Sequence, residues 1–159
     1  MNITVQNMTS DDGISKFEKI IQIFQGGRLF DETYRFNADE NKCSFEIERY
    51  CFEKPVKQSK FLFIFPQYVC GTIRSSIEVC PVMKVTESKN GYEDLEISLS
   101  HNKDVLEIGT YQHTFSLTIS ENTTLKVSDI SNEIKVPPSG YFGKKYQGKL
   151  NAIINELSS

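Results

Sequence analysis

The chain has 159 residues and a mass of 18.2 kDa, with 18 Lys and Arg against 21 Asp and Glu, a net charge of −3 and a pI of about 5.5. That length suits one domain over residues 1–159, large enough to bury a core without a metal or disulfide staple. A composition 38% apolar and 25% charged excludes a disordered chain, and net negative charge disfavours general binding to phosphate backbones.

The first residues, Met1 to Thr9, carry neither a basic segment nor an apolar one, which is not the pattern of a secretory signal. No apolar run approaches the roughly 20 residues needed to span a bilayer, so a cytoplasmic protein without membrane contact is expected. Thr9, Ser10, Asp11 and Asp12 then offer capping oxygens and negative charge for a helix start. Ile14, Phe17, Ile20, Ile21 and Phe24 recur at steps of three and four and mark one helical face. Gly26-Gly27 ends that helix.

Strand signals follow. Arg28 to Phe36 alternates loosely, and Asn37 to Asn41 reads as a turn. Ser44 to Phe52 places Phe45 and Ile47 on one face and Glu46 and Glu48 on the other, with a slip near Arg49-Tyr50 that predicts a bulge or an edge. Lys60 to Val69 reads as a strand covered on both faces, closed or sent to an edge by Pro66. Ile77 to Val85 and Leu95 to Leu99 come next, with Asn90-Gly91 as a turn between them. Tyr111 to Ile119 alternates over its whole length and predicts a half-buried antiparallel strand. Leu125 and Val127 continue the pattern, and Ile134 with Val136 forms a last short strand. Leu150, Ile153, Ile154 and Leu157 mark a closing helix from about Gly148.

Hairpin-joined strands without intervening helices exclude a doubly wound parallel sheet. The expected class is α+β: an N-terminal helix, about eight mostly antiparallel strands in a curved sheet or partial barrel, and a C-terminal helix, with one or both helices covering the open side.

Reactive residues are sparse. Cys43, Cys51, Cys70 and Cys80 contain no Cys-x-x-Cys pair, so a metal site is not expected, and reduced, semi-buried thiols are. His101 falls in a turn, and His113 shares the parity of an apolar strand face, as a hydrogen-bonded core histidine would. A Cys-His nucleophilic pair would have to join Cys70 or Cys80 to His113, and no spacing favours it. No nucleophile elbow, P-loop, dinucleotide fingerprint or zinc-protease motif is present, and no cofactor is implied.

Two features stand out. Glu46 and Glu48 on one strand, and Glu93, Asp94 and Glu96 on or before another, point to acidic outward faces able to hold a basic protein partner. The segment 139–149 interleaves Tyr141 with Lys144, Lys145 and Lys149, a mix that grips phosphate or stacks on a ring.

Three functions follow from these features. The first is a non-enzymatic protein-binding domain, of the immunity or antitoxin type, that neutralises a cognate toxin, such as a basic nuclease. A content rich in Ile, Lys and Asn fits an AT-rich bacterial or phage genome. The second is a ligand- or nucleic-acid-binding domain using the basic aromatic loop, and the third is an enzyme with a dispersed site. Strand edges near Arg28 to Phe36 and Phe61 to Phe65 leave the oligomeric state open.

Overall fold

Ser10 starts the first helix by accepting the Gly13 amide at 3.0 Å, and Asp11 and Asp12 place negative charge in its first turn. This helix belongs to a computed structural model that describes residues 1–58, 67–89, 95–110, 112–136 and 144–158. Nine strands and two helices are present among these residues: β1 (Asn2–Val5), α1 (Asp11–Phe24), β2 (Arg28–Asn37), β3 (Lys42–Gln58), β4 (Gln67–Cys80), β5 (Lys84–Ser88), β6 (Glu96–Leu99), β7 (Val105–Gly109), β8 (Thr114–Thr118), β9 (Thr124–Asp129) and α2 (Lys144–Ser158). The protein is α+β, as expected.

The strands form two antiparallel sheets rather than one. A five-stranded sheet runs β1-β9-β4-β3-β2, and a four-stranded sheet runs β5-β8-β7-β6. Neither closes into a barrel, which corrects the expected single curved sheet or partial barrel. The reason lies at Pro81. The alternation from Ile77 to Val85 reads as one strand, but β4 ends at Cys80, immediately before Pro81. Proline has no amide to donate to a ladder. The Val82 amide then bonds to Asn41 O, beside the first sheet, while the next amide, Met83, bonds to Thr118 O in the second.

Other differences are local. β1 was not anticipated, since its four residues show only Ile3 and Val5 as inward side chains. β7 was missed because its buried pair, Leu106 and Ile108, sits beside a longer and cleaner pattern. That pattern yields β8 from Thr114 only, with Phe115, Leu117 and Ile119 buried as their parity predicts and Tyr111 outside the described residues. In β3 the irregularity falls between Cys51 and Val56, around Pro55, and not at Arg49-Tyr50. The expected strand at Ile134 and Val136 is a single bridge, Lys135 to Thr72. The runs Phe61 to Phe65 and Asn90-Gly91 lie outside the described residues.

The inner face of the larger sheet carries Phe45, Ile47, Ile73, Ile77, Leu125 and Val127. Phe17, Ile20, Ile23 and Phe24 of α1 and Leu150, Ile153 and Ile154 of α2 join the same core. Lys19 of α1 pairs with Glu156 of α2. The smaller sheet joins this core through Phe115, which stacks on Tyr34 of β2 at 4.3 Å between ring centroids and 17° between planes. No helix among the described residues is long and apolar enough to cross a membrane.

The same inner face holds a fully buried arginine. Arg49 is 0% exposed. Its Nη2 reaches Asp129 Oδ1 at 2.9 Å and Glu53 Oε1 at 2.5 Å, its Nη1 donates to Tyr50 O at 3.0 Å, and its Nε donates to Ser75 Oγ at 3.1 Å. Ser75 in turn donates to Asp129 at 2.7 Å, and the Met1 ammonium reaches the other Asp129 oxygen at 2.6 Å. Burial alone would raise the Glu53 and Asp129 carboxyls. Hydrogen bonds and the Arg49 charge outweigh it for both, and the Met1 ammonium and Ser75 add to this at Asp129, so both lie below the usual carboxylate range.

Arg49→Met should cost about 3–5 kcal/mol, because two half-buried carboxylates lose their shared partner; urea unfolding measures this. Depressed carboxylates contribute stability that is present above their unfolded pKa and lost as pH falls through the folded one. Wild-type stability should therefore decline below about pH 4. The deficit of the variant should shrink over the same range, since Glu53, left without its guanidinium, gains by protonation.

Candidate partner-binding face

The outer face of the five-stranded sheet lies opposite the helices. Strand pairing sets its composition. Arg28 faces Glu48, which faces Arg74; Phe30 faces Glu46; and Glu78 faces Lys126. Glu46 and Glu48 do point outward, both half-buried. Across the sheet, however, basic residues from neighbouring strands alternate with them, so this part of the expected acidic face is a mosaic of both signs.

At its centre the Arg74 guanidinium sits over the Phe30 ring, 4.2 Å from the centroid, and donates to Glu46 at 3.3 Å. Arg28 approaches the same ring at 5.7 Å. An aromatic face attracts cations through its quadrupole, so the three side chains hold one another in place. Ile130 extends this surface. Its amide bonds to Arg74 O, which puts it beside Arg74 on the outward parity, where it is 48% exposed.

Beyond Ile130 the chain bulges away from β4 and returns at Lys135, whose N and O both bond to Thr72. Gly71 makes the return possible. A Cβ there would lie 2.3 Å from Ile134 Cγ2 and 2.8 Å from Lys135 O. Between bulge and sheet opens a cleft of about 340 Å³ lined by Glu48, Thr72, Arg74, Ser131, Glu133 and Lys135.

The remaining candidates are scattered. Glu96 is exposed at the start of β6, in the other sheet. Glu93, Asp94 and Tyr141 lie outside the described residues. Lys144 and Lys145 occupy the first turn of α2, and Lys149 is exposed one turn later. The basic stretch from Lys144 onward is thus helix and not loop. Three residues of α2, Leu150, Ile153 and Ile154, gain enough by burial to extend helix through Gly148.

The potential nucleophiles do not converge. All four thiols are free, and Cys43, Cys51 and Cys70 are buried. Burial pushes Cys43 and Cys70 up to about 12 and Cys51 up to about 11. His113 Nδ1 lies 2.6 Å from Glu87 Oε1, and its ring stands 6.2 Å from Phe115. Among the described residues neither Cys70 nor Cys80 bonds to His113; they contact Gly71 O and Glu40 O instead. No group of three or more His, Cys, Asp or Glu converges on a metal position among the described residues.

Comparison with protein-family models, with curated proteins and with solved structures finds no match.

The Arg28–Phe30–Arg74 group escaped the sequence reading, which weighed charges strand by strand. A usable signal was present: an arginine two positions from an aromatic on one strand parity.

Two outcomes are expected. Gly71→Ala should release the 131–135 segment at a cost of about 1–3 kcal/mol, read as faster hydrogen exchange at the Lys135 and Thr72 amides. In the native state a thiol reagent should modify Cys80 rapidly and the other three only after denaturation.

Proposed function

We propose that this protein is a non-enzymatic protein-binding domain that uses the outer face of its five-stranded sheet to occupy a cognate protein, in the manner of an immunity protein or antitoxin. The observation that carries this reading is the Phe30 ring with the Arg28 and Arg74 guanidinium groups 5.7 and 4.2 Å from its centroid, and exposed Ile130 alongside. Aromatic residues and arginine supply most of the binding energy where proteins meet, and a polar surround excludes water from them. Arg74 already contacts Phe30 and Glu46, so less side-chain freedom is lost on docking. The charge mosaic around them fixes register and rejects partners with the wrong pattern. Glu46 and Glu48 serve within that mosaic, facing cationic side chains of a toxin such as a basic nuclease.

Affinity capture from the source organism tests this. The wild-type protein should retain one stoichiometric protein partner and suppress that partner's activity. Phe30→Ala and Ile130→Asp should each weaken capture by about thirtyfold, a loss of roughly 2 kcal/mol. Both positions are partly or well exposed, so circular dichroism should show the fold unchanged. Capture that both variants leave intact, or a wild-type protein that retains no stoichiometric partner, overturns the reading.

A further inference from the structure

Arg74 belongs to two places at once. Its guanidinium sits over the Phe30 ring and donates to Glu46, and the same residue walls the cleft beneath the 131–135 bulge. Ile130, exposed beside it, leads directly into that bulge. Phe30 stands opposite Glu46, and Glu46 opposite Ser76. From Ser76 to Thr72, in the cleft lining, is about 13 Å at strand spacing. An interface of ordinary size takes about 800 Å² from each partner, a patch roughly 30 Å across. A protein seated on Phe30 and Ile130 therefore also covers the mouth of the cleft.

The covered space is polar, with a volume of about 340 Å³. Among the described residues its lining carries the Glu48 and Glu133 carboxylates, the Arg74 and Lys135 cations, and the Thr72 and Ser131 hydroxyls. Those charges cancel, and Glu48 itself stands between Arg28 and Arg74 in the strand register. Under a partner, an empty cleft strips these groups of water with nothing in return. A charged visitor brings a charge that nothing offsets.

We propose that this cleft is the socket for one uncharged polar side chain of the protein partner, an asparagine or glutamine amide. Such an amide offers two N–H donors and a carbonyl acceptor. It donates to a carboxylate and accepts from a cation without upsetting the charge balance. Each wall supplies one of each sign, Glu48 and Arg74 from the sheet and Glu133 and Lys135 from the bulge. The inference rests on the partner-binding reading of the outer face and names what that partner presents there.

Isothermal titration calorimetry tests it, with the protein that the wild type captures, once purified, titrated against variants of the full chain. Thr72→Phe fills the cleft and keeps the Thr72 backbone bridge to Lys135, which hydrogen exchange at the Lys135 amide verifies. It should weaken binding at least about tenfold. Asn132→Phe, exposed on the bulge but outside the cleft lining, should change binding less than about twofold. Glu133→Gln and Lys135→Gln shift the lining by one charge in opposite senses. Both should weaken binding, by about three- to tenfold, and both side chains are exposed, so the fold should be kept. A charged visitor shows itself instead as one of these two variants binding tighter than the wild type. That result, full binding by Thr72→Phe, or an equal loss in Asn132→Phe overturns this inference and leaves the partner reading standing. A wild type that captures no protein overturns both.

Discussion

A buried guanidinium organises this structure. Arg49 sits in the middle of the longest strand, on the face that both helices cover, where a Leu or Ile would be expected. Desolvating a charge there is costly, and the surroundings answer it with two carboxylates, a hydroxyl and a carbonyl. Those partners come from β3, β4 and β9, the three central strands of the sheet. A hydrophobic contact tolerates sliding, whereas this set of bonds fits one register. Arg49 therefore ties strands distant in sequence to a single alignment, a role in specificity more than in net stability.

The outer face inherits that alignment. Asp129 is bonded from below by Arg49 and Ser75, and the next residue, Ile130, emerges on the other side of the sheet beside Arg74. From there the chain makes the bulge that walls the polar cleft. Inner ion cluster and outer surface are thus two sides of the same few residues, since neighbours along a strand point to opposite faces. Disturbance of the cluster should be felt at Ile130 and the bulge before it reaches the smaller sheet. That sheet meets the larger one through a different contact, Phe115 on Tyr34.

Most elements were legible because they rest on local periodicity. The stripe through Phe17, Ile20 and Phe24 and the alternation through Phe115, Leu117 and Ile119 each declare a buried face. The errors fall where the deciding partner is far away in sequence. Ile77 to Val85 alternates well, yet the Val82 amide donates to Asn41 O beside the larger sheet and the Met83 amide to Thr118 O in the smaller one, and only the placement of Asn41 and Thr118 reveals it. α2 begins earlier than its glycines allow in isolation, since packing of Leu150 and Ile154 outweighs propensity. Glu46 and Glu48 point outward as expected, but the arginine that pairs with Glu46 and the two that stand opposite Glu48 lie on other strands.

By itself the sequence determined the class, two helices and many antiparallel strands, and the buried parity of the strands with clean alternation, such as Phe45 with Ile47 and Phe115 with Leu117. It did so because burial must follow the period of each element. The tertiary structure alone decided that the strands divide into two sheets, that Arg49 is interior, and that Phe30 and Arg74 meet. Each of those depends on pairing across strands, and pairing is set by long-range register, which no local pattern carries.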